Sequence, residues 1–154
     1  MITVKLPDGS TREYAAGVTP AEIAGSIGRR LADAAVAASV DGVTVDLDRP
    51  ISADAEVAIL TADSPEGLYV LRHSTAHVLA QAVLDLFPGA RYAIGPPIAD
   101  GFYYDFELPA RPDGSPAHFT ETDLDRIDAR MREIIGEAQP FVREEMDRTT
   151  GLDL

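Results

Sequence analysis

Met1-Ile2-Thr3-Val4-Lys5-Leu6-Pro7-Asp8-Gly9-Ser10 opens the chain, and Thr19-Pro20-Ala21-Glu22-Ile23-Ala24 follows a short polar run. Ile2, Val4 and Leu6 alternate with polar residues, the period of a strand with one buried face. Pro7-Asp8-Gly9 then supplies turn chemistry, so a hairpin to a second strand over 11–15 is expected. Thr19 can cap a helix, Pro20 suits its first position, and Glu22 can return a hydrogen bond to the cap. The helix is expected to run through Ile23, Ile27 and Leu31, four apart on one face, and to fade among the alanines after Asp33.

Short strand-like runs at 37–40, 43–47 and 56–60 come next, separated by turn residues such as Asp41-Gly42. The order is β-β-α-β-β-β. A four- or five-stranded mixed sheet gripping one helix buries that helix's apolar stripe most economically.

Asp63-Ser64-Pro65-Glu66 signals a second helix, closed by Pro88-Gly89. Leu68, Leu71, Leu79, Ala82, Val83 and Leu86 share one face, whereas Val70, Ala80 and Leu84 lie opposite, so both sides are expected to be covered. Strands are expected at 92–94 and 102–108, paired as a hairpin. Thr120-Glu121-Thr122-Asp123 starts a charged helix with Leu124, Ile127, Met131, Ile134 and Ile135 as its stripe, and a last strand-like run covers 141–146. The fold class is α+β, in two units, residues 1–62 and 63–154.

The composition narrows the function. Hydrophobic residues make up 45% and charged residues 25%, enough to build a core in a chain of 154 residues. The net charge of −13 has the wrong sign for generic attraction to DNA, to RNA phosphates or to anionic lipid, so any nucleic-acid contact must be local. The chain has no cysteine, which excludes disulfides, thiolate nucleophiles and iron–sulfur clusters and fits a reducing compartment. No basic, apolar leader and no membrane-length apolar stretch stand out, and a soluble, cytoplasmic protein is expected.

His73 and His77 are four apart on the second helix, so their imidazoles project side by side, about 170° from the main apolar stripe. Together they can meet one substrate or one ion. A zinc site wants three or four ligands, and two are offered, so no cofactor is expected. Ser74 follows His73, which excludes a HExxH protease. In Gly95-Pro96-Pro97-Ile98-Ala99-Asp100-Gly101-Phe102-Tyr103-Tyr104-Asp105-Phe106, period 2 sends Phe102, Tyr104 and Phe106 to one face and Tyr103 and Asp105 to the other. One set packs, and the other is available to a cleft; the two histidines are expected to face such a cleft beside Tyr103 or Tyr104. His118 sits in a polar loop and is read as solvated.

These motifs carry a resemblance. The opening MITVKLPDGS and the Thr19-Pro20-Ala21-Glu22-Ile23-Ala24 helix start resemble a TGS domain, a ubiquitin-like β-grasp module. Leu71-Arg72-His73-Ser74-Thr75-Ala76-His77 followed by the Gly95-to-Asp105 motif resembles the first half of the editing domain of threonyl-tRNA synthetases (threonine--tRNA ligases). In that family the editing domain hydrolyses serine wrongly esterified to tRNA(Thr). The resemblance implies catalytic roles for His73 and His77, substrate contacts for Tyr104, Tyr103 and Asp100, and the acceptor end of tRNA(Thr) as partner. The family's second editing motif, Cys-x-x-x-His, is absent, since the chain has no cysteine and no histidine beyond His118. The ligase core is absent as well. A stand-alone binding or regulatory module, and a small hydrolase or metal protein using His73 and His77, are the alternatives; a homodimer is left open.

Overall fold

The computed structural model describes residues 1–140, 142 and 144–149. Strand β1 (Ile2–Lys5) shows the expected alternation, with Ile2 and Val4 buried and Thr3 and Lys5 exposed. It pairs antiparallel with β2 (Thr11–Tyr14). The turn between them is held by Asp8, whose carboxylate accepts from the Ser10 hydroxyl at 2.6 Å and the Ser10 amide at 2.9 Å, while Gly9 takes the left-handed φ of 84°. Strands β3 (Ala35–Val40), β4 (Val43–Val45) and β5 (Ala55–Thr61) complete one sheet in the order β2-β1-β5-β3-β4. The contact between β1 and β5 is parallel and the others are antiparallel. This is the mixed sheet of a β-grasp fold.

Helix α1 (Pro20–Ile27) starts as the sequence predicts, because Thr19 and Glu22 form a complete capping box. It ends earlier than expected. Gly28 takes an extended backbone, its amide closes on the Ala24 carbonyl at 3.0 Å, and a separate α2 (Arg29–Ala34) follows. A glycine weakens a helix by about 1 kcal/mol against alanine, and here the chain turns at it. The expected stripe is therefore corrected. Ile23 is fully buried in the sheet's core with Val4 and Val57, but Ile27 is 37% exposed and Leu31 only half-buried.

Helix α3 (Pro65–Leu86) begins at Ser64, whose hydroxyl oxygen accepts from the Gly67 amide at 3.0 Å. Gly67 has no room for a side chain: a Cβ there would lie 2.0 Å from the Thr61 carbonyl oxygen at the end of β5. Helix α4 (Glu121–Glu137) starts with a second capping box, from Thr120 and Asp123. The helices pack through Ala82, Val83, Ile127 and Ile134, with Phe87, Phe106 and Phe119 around them. Leu124 and Ile135 of the expected α4 stripe stay exposed, because only Ile127 and Ile134 of that helix are buried. Arg130 on α4 ties the pair from outside through Asp85 at 2.9 Å, and also reaches Glu133 and Glu137.

Between the helices run two short hairpins rather than the single expected one. β6 (Arg91–Tyr92) pairs with β9 (Phe106–Glu107), and inside that loop β7 (Pro97–Ile98) pairs with β8 (Gly101–Phe102). Phe102, Tyr104 and Phe106 are half-buried while Tyr103 and Asp105 are exposed, so the period-2 reading holds even across 103–105, where the backbone is in no ladder. Of the predicted strand at 141–146, Phe141 and Arg143 lie outside the described residues, and Val142 and residues 144–146 are in no strand. Among the described residues no helix is long and apolar enough to cross a membrane.

Candidate functional site

α3 carries the site. Positions four apart on a helix lie one above the other, so Tyr69, His73 and His77 form a column of rings along one face. The imidazoles of His73 and His77 stack with centroids 4.8 Å apart and planes 22° from parallel. Tyr69 meets His73 edge-on at 6.3 Å. All three rings are exposed on one wall of a cleft of about 580 Å3, whose lining also includes Glu66, Val70 and Ser74. Thr44, from β4 of the sheet, contributes to the lining as well.

The hairpins stand elsewhere. Tyr104 lies flat on Gly95, where a Cβ would come within 2.1 Å of its ring, and stacks on Phe106 at 5.0 Å with Tyr92 edge-on at 6.0 Å. Tyr103 is 53% exposed, and Asp100 is exposed in the turn between β7 and β8. The structure brings His73 and His77 together and does not place Tyr103, Tyr104 or Asp100 on the wall of their cleft; Tyr69 fills the position expected of a hairpin tyrosine. The reason is angular. Successive helical residues point about 100° apart, and the hairpin is attached to α3 through Arg72, one residue round from His73. Tyr69 was legible in the sequence, since it precedes His73 by the spacing that separates the two histidines; Thr44 gave no local signal. His118 is exposed, as expected.

Chemically, two adjacent exposed imidazoles can orient a water and take or return a proton. Among the described residues no group of three or more His, Asp or Glu side chains is placed to hold a metal ion.

Residues 2–61, which hold the mixed β-grasp sheet, match the family described as the TGS domain. The chain carries a TGS domain. Over nearly its whole length it is similar to the N-terminal part of threonine--tRNA ligases. It is 50% identical to the threonine--tRNA ligase of Rubrobacter xylanophilus over 148 residues, 96% of this chain and 22% of that protein. It is 54% identical to that of Hyphomonas neptunium over 144 residues, 94% of this chain and 21% of the relative. With the ligase of Acidithiobacillus ferrooxidans the identity is 49% over 100% of this chain and 23% of the relative. The chain thus spans about 22% of the length of the curated relatives it matches.

Proposed function

We propose that the chain acts as the TGS and editing portion of a threonine--tRNA ligase, with His73 and His77 as one half of a site that hydrolyses seryl-tRNA(Thr). The observation that carries the reading is the stacked histidine pair in an open cleft, within a chain half identical to such ligases. In this reading residues 1–62 and 63–154 are separate units, and the second contributes catalysis. A histidine accepts a proton from water as the water oxygen bonds to the seryl ester carbonyl carbon; the ester C–O bond breaks, the proton returns to the departing ribose oxygen, and serine and the ribose hydroxyl leave. The pair's share is holding water and ester in register, an effect worth about 7 kcal/mol or more when the geometry is right.

In this reading the remainder of the frame, the Cys-x-x-x-His motif, has to come from polypeptide other than this sequence. So does most of the contact with tRNA phosphates, because a chain of net charge −13 is poorly suited to supply it. Zinc has no part in the reading: two histidines fall short of the three or four ligands a stable site uses. In this reading the chain works in the cytoplasm, alongside translation.

Titration with 3′-seryl-amino-3′-deoxyadenosine, an amide that cannot be hydrolysed as the ester is, tests the reading. Followed by NMR, it should shift the ring resonances of His73 and His77 saturably. Ring resonances that stay in place at millimolar analogue would contradict it.

A further inference from the structure

The β7–β8 hairpin is two residue pairs long, Pro97 with Phe102 and Ile98 with Gly101. Such a ladder is marginal on its own and needs support. At its base the support is the Tyr104 ring lying on Gly95. At its tip the support is Arg72 of α3, whose Nη1 donates to the carbonyls of Ile98, at 3.3 Å, and of Ala99. Among the described residues these are the side-chain hydrogen bonds that reach residues 93–104 from the rest of the molecule.

Arg72, like Arg12, turns to backbone oxygens rather than to a carboxylate. Acidic residues outnumber basic ones 26 to 13, yet no described carboxylate is within ion-pair distance of Arg72; its donors go to neutral backbone oxygens. Its neighbour in sequence is His73. One turn of α3 therefore carries both the tether of the hairpin tip and the first histidine of the cleft.

We propose that Arg72 is a positioning residue for the His73–His77 site: by bridging the Ile98 and Ala99 carbonyls it clamps the β7–β8 tip onto α3 and so steadies, through the helix, the turn that presents His73 to the cleft on the adjoining face. The inference rests on the proposed editing role for its ligand, and on geometry alone for the tether. Both bonds leave from Nη1, whose hydrogens are fixed in the guanidinium plane, whereas a lysine ammonium is a rotating point charge that sets no such orientation.

The test uses the whole chain with Arg72→Met and Arg72→Lys, reading amide hydrogen exchange at residues 98–102 and binding of the seryl-amino-adenosine analogue. In Arg72→Met the tip amides should exchange about tenfold faster or more while those of α4 stay as in the parent, and analogue affinity should fall about tenfold. Arg72→Lys should lie between the two, a graded rescue that simple loss of the fold would not produce, and it serves as the variant to read if Arg72→Met unfolds. Unchanged tip exchange overturns the tether, and a loosened tip with unchanged affinity overturns the positioning role. If the parent chain fails to bind the analogue, the editing reading fails instead, and the exchange measurement decides the tether by itself.

Discussion

The imidazole of His73 lies over that of His77, 4.8 Å between centroids, on the exposed face of α3. The stacking follows from a spacing of four residues on a helix whose opposite side is occupied by Ala82 and Val83. The pair is thus presented to the cleft by the packing of α3 and needs no bound group to align it. Among the described residues the hairpin tyrosines supply no opposite wall to it, since the Tyr104 ring is committed to Gly95 and Phe106.

The isolated chain is accordingly expected to be a poor catalyst. It should deacylate seryl-tRNA(Thr) no faster than its His73→Ala, His77→Ala double variant, because positioning lowers a barrier only when all reacting groups are held. Deacylation rates of the two at equal concentration check this, and a clear rate in the parent that vanishes in the variant would make the chain a minimal editing enzyme.

Two glycines are expected to resist substitution, for different reasons. In Gly67→Ala the new Cβ meets the backbone oxygen of Thr61, 2.0 Å away, and cannot be relieved by a rotamer change. In Gly95→Ala it meets the Tyr104 ring, which can swing only by leaving its stack with Phe106. Overpacking of this kind costs about 1–3 kcal/mol, occasionally more, and Gly67→Ala should fall at or above the upper end. Urea unfolding of the two variants measures both costs.

In the β-grasp unit, Ile23→Ala should cost about 2–5 kcal/mol, the range for emptying a buried isoleucine site. Ile27→Ala, at a position 37% exposed, should cost about 1 kcal/mol or less. Similar losses for both in thermal or urea unfolding would contradict the break at Gly28.

Acid should weaken the turns and caps first. The Ser10 hydroxyl and amide hold Asp8 below its ordinary pKa near 3.8, those of Ser115 do so for Asp113, and Thr120 does so for Asp123. Groups whose folded pKa is depressed contribute stability that is complete above the unfolded value and is lost as pH falls through the folded one. Stability should therefore be flat from neutrality to about pH 5 with respect to these groups and decline below about pH 4. Thr120→Ala, which removes a cap worth about 1 kcal/mol, should also reduce the size of that decline. Circular dichroism melts between pH 7 and pH 2 provide the comparison.

The sequence was most informative where a local rule had no competitor. The Asp8–Ser10 turn, both capping boxes and the alternation of β1 follow from side chains bonding their own neighbours. The run of Phe102, Tyr104 and Phe106 also faced as period 2 requires. Gly28 defeated the reading of α1 because a glycine inside a helical pattern can be tolerated or can end it, and its neighbours in sequence do not say which. Leu124 and Ile135 look apolar on a helical wheel, yet α4 meets the core along a strip filled by Ile127, Met131 and Ile134. At the site, the histidine pair was legible from spacing, whereas the separation of the hairpin from the cleft depends on where Arg72 takes hold, a long-range contact with no signature in the chain.

The most direct test of the central claim is made in a complete ligase. The matching N-terminal segment of the Rubrobacter xylanophilus threonine--tRNA ligase would be replaced by residues 1–148 of this chain, and deacylation of seryl-tRNA(Thr) compared with and without His73→Ala and His77→Ala. The account predicts that the grafted enzyme deacylates seryl-tRNA, and that the double substitution lowers the rate at least about a hundredfold while threonyl-tRNA formation continues. Deacylation that proceeds equally fast without the two histidines would contradict it.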